Sequence, residues 1–348
     1  MIDYSLHLIN ASEVILEAFK KLNNVPKNLT LFVINKENEL LGTLTDGDIR
    51  RGFLKGLKLS DSVEKFMIRD YKSLTKCKLN PQNIKKLKEK GIKLIPILDE
   101  QNKILDVIDL NSVTTVLPVD AVLMAGGKGD RLKPLTDKIP KPLLKVGSKT
   151  IIEHNFEHLS HYGIIEFIIT LRYLGEQIEN KFGNGDSHGI HITYFKEEEP
   201  LGTIGALSSI KGFKHDVVLL MNADLFTNID LESFYNDFIE SNADMAVATI
   251  PYIVDIPYAV LDLNEDNIRG FKEKPTYTYY SNAGVYLIKK QLLDLIPTGA
   301  EYNATDFLQT LINMGKKIIR FPILGYWIDI GKPEDYFKAQ EFVKHIKN

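Results

Sequence analysis

From Val119 onward, short apolar runs alternate with helix-length amphipathic stretches, and no other feature restricts the fold as strongly. Strand-sized runs occur at Val119–Met124, Phe167–Thr170, Ile192–Phe195, Val217–Asn222, Met245–Thr249, Val285–Ile288 and Ile318–Pro322. The stretches between them predict helices over Ile151–His161, Leu174–Phe182, Ile204–Lys211, Asp230–Ser241 and Asp306–Met314. Strands separated by helices pair in parallel, so the expected class is α/β with a doubly wound, mainly parallel sheet. Ligands in such sheets collect beyond the carboxyl ends of the strands. A site is therefore expected where several runs end in glycine or aspartate.

The first 118 residues carry a weak internal repeat instead. The first half orders a helix over Ala11–Asn23, an apolar run at Leu31–Asn35, a polar turn, a run at Leu41–Leu44 and a closing helix over Gly47–Leu54. The second half repeats this with Asn83–Lys90, Lys93–Leu98, Asp99–Lys103, Ile104–Ile108 and a short helix after Leu110. Duplicated units pack together because neither buries its apolar face alone. The expected organisation is a smaller α+β domain over 1–118, in halves of about 1–66 and 67–118, then a larger domain over 119–348.

Composition excludes several classes. Formal net charge is −3, which gives no general field for nucleic acid. Cys77 is the single cysteine, so neither an intrachain disulfide nor a cysteine metal cluster can form. The N-terminal residues lack a basic stretch before an apolar run, and no apolar run approaches membrane-spanning length. A soluble, cytoplasmic protein without membrane or nucleic-acid partners is expected.

The strongest chemical signal runs from Leu123 to Thr136, with Pro140-Lys-Pro-Leu143 after it. Gly126, Gly127 and Gly129 let backbone N–H groups approach phosphates, and Arg131 and Lys141 supply fixed cations. The motif is neither a Walker A loop nor the dinucleotide glycine pattern. A tight strand-to-helix turn with surface bases is the alternative, disfavoured by the prolines that stiffen the loop around Lys141. Downstream, Pro200-Leu-Gly-Thr203 suggests a turn at a helix start, where free N–H groups can meet a ligand or Thr203 can simply cap. Val217–Asp224 reads as a buried strand ending in a carboxylate, and Trp327-Ile-Asp-Ile-Gly331 sets Asp329 among apolar residues. Two aspartates meeting at a phosphate are a common way to hold Mg²⁺. Glu273, Lys274 and Asn282 supply a carboxylate, a cation and an amide, although alone Lys272-Glu-Lys274 would be an exposed charged turn.

These motifs, in this order from Val119 to about Tyr336, resemble the sugar-nucleotide pyrophosphorylase family, which joins a sugar 1-phosphate to a nucleoside triphosphate. The resemblance implies a Rossmann-like nucleotidyltransferase fold and an Mg²⁺-dependent reaction. It implies nucleotide contacts from Ala125, Gly126, Gly127, Gly129, Gly202 and Thr203, and catalytic charge neutralisation by Arg131 and Lys141. It further implies sugar-phosphate contacts from Glu273, Lys274 and Asn282, and metal binding by Asp224 and Asp329. No histidine falls in the motifs, and none is assigned a catalytic role.

Leu41–Arg50 resembles the nucleotide-contact motif of CBS domains, which occur in tandem and often bind adenine nucleotides. The resemblance places a phosphate contact at Thr45 and a ribose contact at Asp48. In the second half, Ile108 falls opposite Thr45 and Asn111 opposite Asp48, so a second site is not expected to match. A pair serving only orientation or dimerisation is the alternative. A tandem CBS pair before a nucleotidyltransferase resembles bacterial glucosamine-1-phosphate guanylyltransferases, implying GTP and glucosamine 1-phosphate as substrates; UTP, dTTP and CTP remain open. A homo-oligomer is expected, and without hexapeptide repeats no β-helix acyltransferase is. Two rival readings are a non-catalytic binding subunit and a nucleotide sensor centred on the CBS pair.

Overall fold

The computed structural model describes residues 3–25, 29–75 and 78–345, so Cys77 lies outside the described residues. The chain divides into two compact units, Met1–Leu117 with His161–Gly163, and Pro118–Ser160 with Ile164–Asn348.

The first unit comprises β1 (Leu8–Asn10), α1 (Ile15–Asn24), β2 (Thr30–Ile34), β3 (Leu40–Thr45), α2 (Asp46–Leu54), β4 (Leu74–Thr75), α3 (Pro81–Glu89), β5 (Leu94–Leu98) and β6 (Ile104–Asp109). They form two three-stranded sheets of one topology. β1 runs parallel to β2 and β4 to β5, while β3 and β6 return antiparallel. The likeness reaches the irregularities: each hairpin has a register shift, after Val33 and after Ile97, and turns through an asparagine with positive φ, Asn38 or Asn102. Asparagine enters that left-handed region more readily than bulkier residues. Ile15, Ala18 and Leu22 of α1 face Leu31, Val33 and Leu44 of the first sheet. Phe32 and Leu40 cluster with Leu94, Leu98 and Val107 of the second, so each half completes the other's core.

Two details differ from expectation. No helix follows Leu110; the chain turns there, and the Ser112 hydroxyl donates to the Asp109 carbonyl. Strand register also fixes the repeat one residue away from the sequence alignment. Thr30 faces Thr45 and Leu94 faces Asp109, so Asp109 rather than Ile108 stands at the place of Thr45. Continuing that register puts Ser112, not Asn111, at the place of Asp48. The two hairpin loops are equal in length, which keeps the offset constant and which a motif match cannot see.

The second unit contains β7 (Asp120–Met124), β8 (Lys145–Val146), β9 (Lys149–Thr150), α4 (Ile151–Ser160), β10 (Glu166–Leu171), α5 (Gly175–Phe182), β11 (His191–Lys196), β12 (Val217–Asn222), β13 (Leu225–Thr227), α6 (Leu231–Glu240), β14 (Met245–Asp255), β15 (Val260–Asn264), β16 (Asn267–Lys272), β17 (Thr276–Lys289), α7 (Ala304–Asn313), β18 (Ile318–Pro322), β19 (Trp327–Asp329) and α8 (Pro333–Val343). Seven strands make the main sheet in the order β11-β10-β7-β12-β17-β14-β18. All its pairings are parallel except those of β17, which is antiparallel to both neighbours. The central strands read as unbroken apolar runs because both faces are covered. Phe307 and Leu311 of α7 pack with Val218 and Leu220 in one such core.

The segment Ile204–Lys211 is not an α-helix: it holds a single 3-10 turn, Gly205–Ser208. A Cβ on Gly205 would lie 2.7 Å from the Ala300 carbonyl, and the Ser208 hydroxyl donates back to the Gly205 carbonyl. Close packing and a competing side-chain bond replace the helical ladder. β14 and β17 run well beyond the apolar segments that marked them, into an exposed ribbon rich in tyrosine.

Candidate active site

Strands β10, β7 and β12 end side by side, and backbone bonds join them one residue further. Ala125 N–H donates to Thr170 O and Ala223 N–H to Met124 O, each at 3.0 Å. This carboxyl edge is where a doubly wound sheet holds its ligand. The Gly126–Gly129 loop leaves β7 here, and Asp224 follows β12.

Asp329 reaches the same edge by strand pairing. β13 and β19 are antiparallel, with Leu225 opposite Asp329 and Phe226 opposite Ile328. Under this pair, Leu132, Leu144, Val146, Ile151, Phe226 and Ile330 form a small apolar cluster. Its members flank the polar candidates in sequence: Leu132 follows Arg131, Leu144 closes the Lys141 turn, and Ile330 follows Asp329. Burying a large aliphatic or aromatic side chain contributes roughly 1.5–3 kcal/mol, so the cluster anchors three loops at once.

Lys141 lies in a 3-10 turn, Lys141–Leu143, and is only 9% exposed. Its ammonium donates to Asp224 Oδ2 and lies 3.5 Å from Asp329 Oδ1. Burial and the nearby Asp224 charge push the Asp329 carboxyl above its usual range, against the pull of Lys141 and Arg131. Asp224 Oδ1 is buried and has no hydrogen-bond partner. A buried carboxylate oxygen without a donor is costly unless a ligand meets it. Two carboxylates with one such oxygen fit a hard divalent cation that takes its other ligands from phosphate and water. Among the described residues, no cluster of three or more metal-ligating side chains offers a fuller cage.

The glycine loop is open where phosphates would need room. A Cβ on Gly127 would meet nothing within 4 Å, whereas Gly129 has φ +67° and packs on Thr136 and the stem of Lys141. Gly129 therefore shapes the loop, with its carbonyl accepting from the Thr136 hydroxyl at 2.8 Å. Arg131 is exposed, and its charge is felt at Asp329.

Gly202 and Thr203 take a different place from the expected helix start. Gly202 has φ +71°, and a Cβ there would lie 2.6 Å from the Tyr302 carbonyl. The Thr203 hydroxyl accepts from Ala304 N–H at 2.7 Å, so it caps the first turn of α7 rather than its own segment. Asn282 sits at the bulge where β17 passes from β12 to the ribbon: it accepts from Gly284 N–H and donates to the Tyr286 hydroxyl. Gly284, at φ +71°, packs directly on Asn222. Glu273 and Lys274 occupy the exposed turn between β16 and β17. β17 is continuous from Thr276, which puts Lys274 on the order of 25 Å from Asn282 along the strand. The structure thus gathers Gly126–Gly129, Lys141, Asp224 and Asp329, and leaves Glu273 and Lys274 apart.

In the first unit Thr45 and Asp48 engage each other. The Asp48 carboxylate accepts from Thr45 N–H at 2.8 Å and from its hydroxyl at 2.6 Å, a capping box for α2. Arg51 binds the other Asp48 oxygen at 2.5 Å.

Sequence reasoning missed Glu197. It is half-buried beyond β11, with Oε1 3.4 Å from where a Cβ on Gly126 would stand. Burial raises its carboxyl, opposed by the Leu201 amide, the Thr170 hydroxyl and the Arg172 charge. Glu197 opens the segment Glu197–Ala206, in which the family resemblance implies roles for Gly202 and Thr203 alone.

Comparison with known proteins gives the family. The nucleotidyl transferase family profile matches residues 120–346, and the CBS domain profile matches residues 3–55. A D-glycero-alpha-D-manno-heptose 1-phosphate guanylyltransferase of Aneurinibacillus thermoaerophilus is 32% identical over 65% of this chain and 99% of its own length. A mannose-1-phosphate guanylyltransferase of Mycobacterium tuberculosis is 34% identical over 64% of this chain and 63% of its own. The chain thus spans nearly all of the first relative and under two thirds of the second. The crystal structure of HddC from Yersinia pseudotuberculosis superposes with a TM-score of 0.52 at 28% identity, over 65% of this chain and 99% of HddC. The chain belongs to the nucleotidyl transferase family, in its sugar-1-phosphate branch, and carries a CBS domain. Nucleotidyltransferases of this family generally use a divalent metal ion. No helix among the described residues is long and apolar enough to cross a membrane.

Proposed function

We propose that the chain transfers a guanylyl group from GTP to a sugar 1-phosphate, with glucosamine 1-phosphate as acceptor, releasing pyrophosphate. The carrying observation is the meeting of Asp224, Asp329 and Lys141 beside the open glycine loop at the carboxyl edge of the sheet.

A sugar-phosphate oxygen attacks the α-phosphorus; that P–O bond forms as the bond to the β-phosphate breaks, and pyrophosphate leaves with the electron pair. The second phosphate pKa is near 6, so the nucleophile is already ionised and no protein base is required. The chain's task is placement and charge neutralisation. Gly126, Gly127 and Gly129 offer backbone close to the phosphates, and Arg131 and Lys141 oppose their charge. Asp224 and Asp329 would hold Mg²⁺, which when bound neutralises phosphate oxygens. Glu273, Lys274 and Asn282 are assigned to the sugar phosphate, the first two reaching it only if the ribbon moves on binding.

Guanine as the base is supported by Glu197 and by the two guanylyltransferase relatives. A carboxylate accepts two donors, which suits guanine N1–H and the 2-amino group, whereas uracil and thymine offer a single N–H. The test is pyrophosphate release with Mg²⁺ from the four common triphosphates against glucosamine, mannose and glucose 1-phosphates. Turnover with GTP and glucosamine 1-phosphate supports the full assignment; another sugar with GTP corrects the acceptor alone.

For the CBS region, an adenine nucleotide at Thr45 and Asp48 remains the assignment, and the expected organisation is a pair ending near residue 118. AMP or ATP should raise the melting temperature and Thr45→Ala should remove the effect. No shift in the parent protein leaves the capping role alone. Light scattering would test the expected homo-oligomer.

A further inference from the structure

We infer that Arg172 reads the N7 and O6 acceptors of the guanine base, a specificity contact that complements Glu197 and rests on the guanylyl-transfer reading above. Arg172 directly follows β10, at the carboxyl edge of the sheet, and its Cβ lies 3.4 Å from the point where a Cβ on Gly126 would stand. Glu197 Oε1 is equally close to that point. The two side chains therefore flank Gly126.

Their heads remain uncommitted to each other. Arg172 is half-buried and acts on Glu197 through its charge alone, with no ion pair to it within 4 Å. Elsewhere in the chain, Arg51 is paired with Asp48 and Lys141 with Asp224. A partly desolvated guanidinium is retained at a cost unless acceptors meet its fork.

The chemistry of the pair selects its ligand. Guanine presents N7 and O6 together as acceptors, which match an arginine fork, and presents N1–H and N2–H₂ as donors, which match a carboxylate. Adenine sets an amino donor where O6 would be, facing the arginine wrongly. Pyrimidines have no N7.

The test uses the full chain with Mg²⁺ and the best sugar 1-phosphate, comparing kcat/KM for GTP, 7-deaza-GTP and ITP. The parent enzyme should prefer GTP to 7-deaza-GTP by about tenfold or more. Arg172→Ala should abolish that preference while keeping the GTP-to-ITP ratio, which reads the 2-amino group. Glu197→Gln should do the reverse. Arg172→Lys, which keeps charge but not the fork, should behave like the alanine variant and guards against a folding defect. Equal losses on GTP and 7-deaza-GTP in Arg172→Ala would overturn the inference while leaving guanylyl transfer intact. A parent enzyme that ignores GTP and uses another triphosphate would overturn both.

Discussion

Asp329 lies across the β13–β19 pairing from Leu225, the residue after Asp224, so two carboxylates far apart in sequence arrive side by side. Lys141 stands between them and balances only part of their charge. Under the proposed function the site takes a further cation, and its variants should separate stability from activity.

Asp224→Asn keeps the shape of the side chain and the bond to Lys141 while removing charge from the buried oxygen. Turnover should fall on the order of a hundredfold or more. Melting temperature and circular dichroism should stay near those of the parent. Near-normal pyrophosphate release would remove Asp224 from the metal site.

Asp329→Asn should uncouple the two properties. The folded carboxyl is raised by burial and by Asp224, so the folded state holds its proton above the ordinary value of 3.8. Stability from this group is therefore lost as pH rises from that value through the folded one. At neutral pH without metal, Asp329→Asn should melt slightly higher, by about 1–3 °C, and turn over far more slowly. A lower melting temperature would contradict the repulsion between the two carboxylates.

Glu153 should contribute to the acid limit of the second unit. Burial would raise its carboxyl, yet bonds from the Thr150 hydroxyl and amide, and from Lys181, hold it at about 2 instead of 4.5. Its contribution is complete above pH 4.5 and is lost as pH falls toward 2. Glu153→Gln should flatten the decline in stability across that window in acid titrations monitored by fluorescence. An unchanged acid limb would show the carboxylate to be irrelevant there.

Gly202→Ala combines a left-handed backbone with a clash against the Tyr302 carbonyl. Destabilisation of about 1–3 kcal/mol is expected, read by urea titration. A neutral result would mean that this turn can relax.

Much of the main sheet was legible because its strands are apolar runs of strand length: Val217–Asn222 and Ile318–Pro322 have the bounds expected. The glycine loop, Lys141 and both aspartates were legible as motifs, and the structure gathers them. The ribbon was not, since Tyr252, Ile253, Tyr279 and Tyr280 are exposed and carry no burial period. The turn at Gly205 was misread because a carbonyl from Ala300, distant in sequence, decides its backbone. The repeat register near Asp109 depends on strand pairing, which a one-dimensional match does not contain. Glu197 became visible only when β10, β11 and the Gly126 loop were placed together.

The central claim is tested most directly by pyrophosphate release with Mg²⁺ across the four triphosphates and a panel of sugar 1-phosphates. Turnover with GTP, depending on the sugar phosphate and greatly reduced in Asp224→Asn, is the predicted result. No turnover with any pair would contradict the account.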